Sequence, residues 1–186
     1  ITIAQYQAFV TEAGYQPASG CRVGSDASPE AGWRAPGFPQ EPDHPVVCLA
    51  HADALAYTDW LTRKTGYRYA LPTEVEWEHA ARASTLESYT TGRQIYSGQA
   101  NFRTVGSVPR GTVRAGSYAP NSYGLQDVHG NVAEMLADCW DEADGVRAVP
   151  TSTAAGAAAQ PAGGSVDSAC TARIAKGGSW QSTAGH

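Results

Sequence analysis

Tyr123-Gly124-Leu125-Gln126-Asp127-Val128-His129-Gly130-Asn131-Val132-Ala133-Glu134, followed further along by Lys176-Gly177-Gly178-Ser179-Trp180, decides what kind of fold this chain can adopt. The first stretch is a turn that offers two carboxylates, Asp127 and Glu134, with backbone carbonyls between them. That is most of what a calcium ion needs to gather its six to eight oxygens. A metal-free reading of the same residues is a helix start, with Asn131 and Glu134 as a capping box. The second stretch, preceded by Arg173-Ile174-Ala175, reads as a strand that ends in a close backbone approach, the usual reason for glycine at a strand end.

Moving outward, three helices can be placed by their caps. Thr2 with Gln5 reads as a capping box, and Ile3, Tyr6, Phe9, Val10 and Ala13 recur at helical spacing until Gly14. Asp53 to Lys64 presents Ala54, Tyr57, Trp60 and Leu61 on one face, with Arg63, Lys64 and Gly66 at its end. Thr73-Glu74-Val75-Glu76 is a second capping box, opening a helix that carries Trp77, Ala80 and Ala81 and an ion pair from Glu78 to Arg82. Val46 to Leu49 is a short apolar run that reads as a strand or edge segment. Residues 15 to 43, broken by Pro17, Pro29, Pro36, Pro39 and Pro42, read as a long ordered loop anchored by Trp33 and Phe38. From Ser84 to Asn121 only brief strands such as Thr104 to Val108 are expected, and Ala154 to Gly164 reads as a mobile loop.

The chain has 186 residues, enough for one domain that buries roughly two thirds of its unfolded surface. No run of about 18 apolar residues occurs, so no spanning helix is expected. With 13 basic and 18 acidic side chains the net charge is -5, which argues against a nucleic-acid partner held by a basic field. The 20 glycines and 11 prolines carry no repeat, and the picture is a loop-rich globule. Residue 1 already lies inside an amphipathic pattern, so a leader and a first strand are expected upstream. Cys21, Cys48, Cys139 and Cys170 form no zinc-type cluster. Their even number and wide spacing fit two disulfides, each worth roughly 3 kcal/mol, and an oxidising compartment; four buried thiols in a cytosolic protein is the competing reading. Sequence alone allows three connectivities.

Five phrases stand in a fixed order: His44-Pro45-Val46-Val47; Leu71-Pro72-Thr73-Glu74-Val75-Glu76-Trp77-Glu78-His79-Ala80-Ala81-Arg82; Ala100-Asn101-Phe102; Tyr123 to Glu134; and Lys176 to Trp180. Together they resemble the formylglycine-generating enzyme, or sulfatase-modifying-factor, family. The likeness runs over nearly the whole of residues 1–186, read as a single domain incomplete at both ends. It implies the family's modified C-type-lectin-like fold, an α+β domain with short twisted sheets, about three helices and structural calcium. It also implies pairing of Cys21 with Cys48 and of Cys139 with Cys170, positions similar to those of structural cysteines in bacterial relatives.

The resemblance places a calcium at the 127–134 turn, with side-chain oxygens from Asp127 and Glu134, carbonyls from Gly130 and Val132, and Asn131 in the same cluster. A second family calcium site begins at Asn101 and Phe102, but no Asp or Glu occurs between Asn101 and Asn121, so that site is weakened and Asn101 reads as a turn residue. The sulfatase-activating enzymes oxidise a substrate cysteine with copper held by two cysteines, the first shortly after Gly-Gly-Ser. Here that position is Ser182, and the partner would fall beyond His186. Copper(I) prefers soft sulfur, so no copper is expected and formylglycine synthesis is disfavoured.

The resemblance puts a substrate cleft beside Ser179, Trp180, Ser182 and His186. Ala133 and Met135 replace the usual tryptophans there. Trp180 reads equally well as core and His186 as a solvated end, while His44 and His129 read as structural. The expected function is oxidative tailoring or maturation of a peptide or siderophore-type small molecule in the periplasm or outside the cell, as in the pyoverdine-maturation branch. The rivals are a non-catalytic ligand-binding module, such as a retroelement-diversified variable protein, and an accessory domain of a larger receptor or kinase.

Overall fold

The computed structural model describes residues 1–18, 20–23, 26–28, 31–107, 109–141, 145–147, 170 and 172–184. Among the described residues, three helices and two small antiparallel sheets are joined by long irregular segments, the α+β, loop-rich arrangement expected.

Helix α1 spans Ile3–Ala13. Thr2 Oγ1 accepts from the Gln5 N–H at 3.3 Å while Gln5 Oε1 accepts from the Thr2 N–H at 2.8 Å, and Gly14 ends the helix in the left-handed region. Helix α2 spans His51–Thr65, two residues longer at its start than the periodicity indicates. The reason is Asp53: its Oδ2 accepts from the Ala50 N–H at 2.7 Å, so the carboxylate closes the first turn from within although Ala50 has no capping side chain. Helix α3, Glu74–Arg82, opens on the reciprocal Thr73 and Glu76 bonds and carries the Glu78–Arg82 pair at 2.8 Å.

The first core lies between α1 and α2. Tyr6, Phe9, Val10, Trp33, Val46 and Tyr57 are buried there, with Tyr6 edge-on to Trp33 at 5.1 Å and Phe9 edge-on to Tyr57 at 5.6 Å. The second core is smaller. It packs Trp77 and Ala81 of α3 against Leu136 and Ile174 of a three-stranded sheet. That sheet runs in the order β4-β3-β5, from Gly145–Arg147, Glu134–Asp141 and Ala172–Lys176. Glu134 pairs with Lys176 and Met135 with Ala175, after which a bulge shifts the register until Cys139 meets Arg173.

Four expectations change. Glu134 opens strand β3, so the reading of Asn131 and Glu134 as a helix cap is overturned. Val46 to Leu49 forms no strand; Pro45 makes one isolated bridge with Thr2, Val46 enters the core, and Cys48 turns away at φ 58°. The 15–43 segment is not wholly loop, because Cys21–Val23 (β1) and Asp26–Ser28 (β2) pair as a short hairpin. Between 104 and 107 there is a single bridge, Thr104 with Ser107, in place of a strand. Val108 and the 154–164 segment lie outside the described residues. Cys21 bonds to Cys48 and Cys139 to Cys170, tying the hairpin to the start of α2 and closing the end of β3 on β5.

Candidate functional site

The 127–134 turn and the Gly-Gly-Ser turn are built against each other. Gly130 holds φ 73°, and a methyl group there would come within 2.4 Å of the Asn101 carbonyl oxygen, so no side chain fits. The space is small because the Asn131 N–H donates to that same carbonyl at 2.7 Å. The Gly130 N–H donates to the Gly177 carbonyl at 2.8 Å, and the Trp180 N–H donates to the Asn131 carbonyl at 3.0 Å. Asn131 is buried and its side chain makes three hydrogen bonds. Its Oδ1 accepts from Val113 N–H and Asn101 Nδ2, while its Nδ2 donates to the Val113 carbonyl. These bonds make the Asn131 side chain a tie between loops. Asn101 serves the same end, its Nδ2 also donating to the Gly111 carbonyl at 3.0 Å.

Two hollows flank the Gly-Gly-Ser turn. The smaller, about 370 Å³, is lined by Ser179 and Ser182 together with Trp77, Tyr89, His129 and Lys176. The larger, about 1030 Å³, is an open groove walled by Phe38, Tyr57, Leu61 and Trp180, with Asp127 and Glu134 in its lining. Ser179 borders both. Of the expected substrate residues, Ser179 and Ser182 therefore share the cavity, whereas Trp180 faces the groove and stacks edge-on with Phe38 at 5.4 Å. His186 lies outside the described residues. The Ser182 hydroxyl accepts from the Ser179 N–H at 3.0 Å and the Ser179 hydroxyl from the Gln181 N–H at 3.2 Å; the two hydroxyls also lie 3.5 Å apart with one donating to the other, which leaves one hydroxyl proton of the pair available to a ligand.

The cavity holds groups that the sequence reading assigned to structure alone. His129 Nε2 accepts from the Thr90 N–H at 3.2 Å and its ring meets Tyr89 edge-on at 5.3 Å. Burial holds its pKa below the ordinary histidine value, against a pull upward from Glu78, so the ring is neutral with its proton on Nδ1. Lys176 bridges Glu74 at 2.7 Å and Glu78 at 3.1 Å. Burial works against its charge, but the two carboxylates win and raise its pKa. The lysine's place at the end of a strand was legible. Its partners on a helix almost a hundred positions away were not.

On the groove side, Asp127 Oδ2 accepts from the Gly116 N–H, while Asp127 Oδ1 is buried with no hydrogen-bond partner. Glu134 Oε2 accepts from the Trp77 indole N–H. Burial raises the Glu134 pKa, the indole bond opposes this, and the nearby Asp127 charge adds to the rise. Two carboxylates that repel each other, one with an orphaned oxygen, suit a hard divalent cation. Among the described residues no group of three His, Cys, Asp or Glu could hold a metal. Any calcium would therefore draw on backbone carbonyls as well, as expected for Gly130 and Val132.

Among the described residues no helix is long and apolar enough to cross a membrane. The sulfatase-modifying factor enzyme 1-like domain family matches residues 1–186. A formylglycine-generating enzyme of Thermomonospora curvata is 35% identical over 177 residues, covering 83% of this chain and 52% of that protein, so the chain spans about half its length. The structure of PvdO from Pseudomonas aeruginosa superposes with a TM-score of 0.74 at 26% identity, over 98% of this chain and 67% of that one. Treponema denticola variable protein 1 shares the fold, with a TM-score of 0.59 and 20% identity over 99% of this chain and 72% of that one.

Proposed function

The chain belongs to the family of sulfatase-modifying factor enzyme 1-like domains, and from that premise we propose that it matures a peptide or siderophore-type small molecule outside the cytoplasm. The observation that carries this reading is the cavity of about 370 Å³ beside Ser179 and Ser182, which is sized for a small substrate group. Oxidative tailoring, as in the pyoverdine-maturation branch, is the reaction class the proposal takes over from the family. Ser182 sets an oxygen where the sulfatase-activating members have a copper thiolate, and copper(I) takes sulfur ligands. The proposed reaction therefore does not run through a two-cysteine copper site. The two disulfides support an oxidising compartment.

Within the cavity, the paired hydroxyls of Ser179 and Ser182 would orient the substrate through the one proton their mutual bond leaves free, and neutral His129 would offer a proton at Nδ1. The test is incubation with a pyoverdine-type precursor peptide, followed by mass spectrometry and by binding measurements on wild type and Ser182→Trp, which fills the cavity. A mass change that disappears in the variant supports the proposal. Absence of both binding and turnover by the full-length protein sinks it. Binding without a mass change favours the second reading, a ligand-binding module, for which the open groove of about 1030 Å³ speaks.

We also propose calcium at the 127–134 turn, held by Asp127, Glu134 and the carbonyls of Gly130 and Val132. The ion would supply the charge that stops the two carboxylates repelling one another. A chelator should then lower the melting temperature and calcium restore it, and Glu134→Gln should abolish that response. A melting temperature indifferent to both would remove calcium from the account.

A further inference from the structure

Trp77 touches both sides of the site. It lines the cavity with Ser179 and Ser182, yet its indole N–H donates to Glu134, which lines the groove on the other side of the turn. A methyl group at Gly177 would come to 3.4 Å from Trp77 Cζ2 and 3.0 Å from the Val128 carbonyl, so the first glycine of the turn lies beside the indole with little space between them. Glu74 and Glu78 on the same helix hold Lys176, the residue just before that glycine, so helix, ring and turn are tied together. Lys176 is also the register partner of Glu134.

We infer that Trp77 is a positioning residue that orients the Glu134 carboxylate and couples the hydrogen bond it gives that carboxylate to the Ser179–Ser182 turn. The chemistry is direct. An indole N–H bonds strongly to a bare carboxylate and weakly once a cation or an amide replaces that charge. When the bond weakens the ring relaxes, and the backbone packed on it at Gly177 moves with it. By linkage, a ligand that fixes the turn must in return favour one state of Glu134. The inference draws on the calcium reading only for the identity of the natural cation; the link itself is a property of Trp77, Glu134 and the turn.

The test uses nitrogen-labelled protein and follows three resonances: the Trp77 indole N–H and the amides of Ser179 and Ser182. Glu134→Gln, without added metal, is expected to move all three. Trp77→Phe keeps an aromatic ring but removes the donor. In that background Glu134→Gln should leave the Ser179 and Ser182 amides in place. Calorimetry with calcium alone should show affinity about 10–100-fold weaker for Trp77→Phe, the usual loss when a ligand's hydrogen-bond partner goes. Amides that stay still on Glu134→Gln in the otherwise unaltered protein overturn the inference, as do amides that move equally with Phe at 77. The first of these needs no change at residue 77, so it stands even where Trp77→Phe fails to fold. If calorimetry of the unaltered protein shows no calcium binding, the calcium reading fails separately and the Glu134→Gln comparison still decides.

Discussion

The half of the molecule around α1 and α2 and the half around the Gly-Gly-Ser turn are held by different forces. In the first, six buried side chains, four of them aromatic, exclude water, and almost any apolar atom in the right volume contributes. In the second, the buried apolar cluster among the described residues is Trp77, Ala81, Leu136 and Ile174. What fixes that half is a web of directed bonds among Asn101, Gly130, Asn131, Gly177 and Trp180. The first half resists changes of shape and yields to loss of volume. The second should yield to a single added methyl group.

That contrast can be broken from either side. The largest effect is expected from Phe9→Ala, which empties a fully enclosed site between Tyr6, Tyr15, Tyr57 and Trp60 and should cost about 4 kcal/mol. Urea unfolding should show the midpoint falling, with the cavity beside Ser182 unchanged in the folded protein. Gly130→Ala adds atoms where Phe9→Ala removes them, at φ 73° and against the Asn101 carbonyl. The cost should be about 3 kcal/mol from strain and the displaced bond. Unlike Phe9→Ala, it should also perturb the Ser179 and Ser182 amides. Equal and purely global effects from the two variants would mean that the halves do not differ as described.

The same contrast explains what could be read in advance. The caps Thr2, Gln5, Thr73 and Glu76, and the periods that bury Tyr6, Phe9 and Trp77, are local signals between residues three or four apart, and these helices stand where the sequence puts them. The site is another matter. The ordered phrases located both turns and their glycines, but not that Asn131 spends three side-chain bonds on loops, because its partners come from residues 101 and 113. Strand β3 was missed for a related reason. Its residues Glu134 to Asp141 carry a buried Asp138, whose carboxylate accepts from the Glu74 N–H at the start of α3. No alternation of apolar and polar residues announces a carboxylate whose use is to cap a distant helix. His129 was read as structural on its spacing alone. Only the packed Tyr89 ring and the Thr90 N–H show it to be a neutral imidazole on a cavity wall.

The smallest effect expected is in pH, and it sharpens the comparison because each half has a half-buried histidine. His51, at the start of α2, lies against the Leu136 carbonyl at 3.2 Å, and burial followed by the Arg173 charge lowers its pKa. For His129 burial lowers the pKa and Glu78 partly restores it. In both cases the unfolded chain, with a histidine pKa of about 6.5, takes up a proton before the folded one does. Above that value neither state binds the proton and the histidines leave stability unchanged. As pH falls from about 6.5 through the lowered folded values, the unfolded state gains and stability is lost. Urea midpoints should therefore drop between about pH 7.5 and about pH 5.5. His129→Gln should remove its share of the slope and slightly disturb the cavity. His51→Gln should remove its own share while weakening the contact between α2 and β3. A slope untouched by either substitution would mean that both rings already titrate in the folded protein as they do in water, and that the burial seen around them does not exclude the proton.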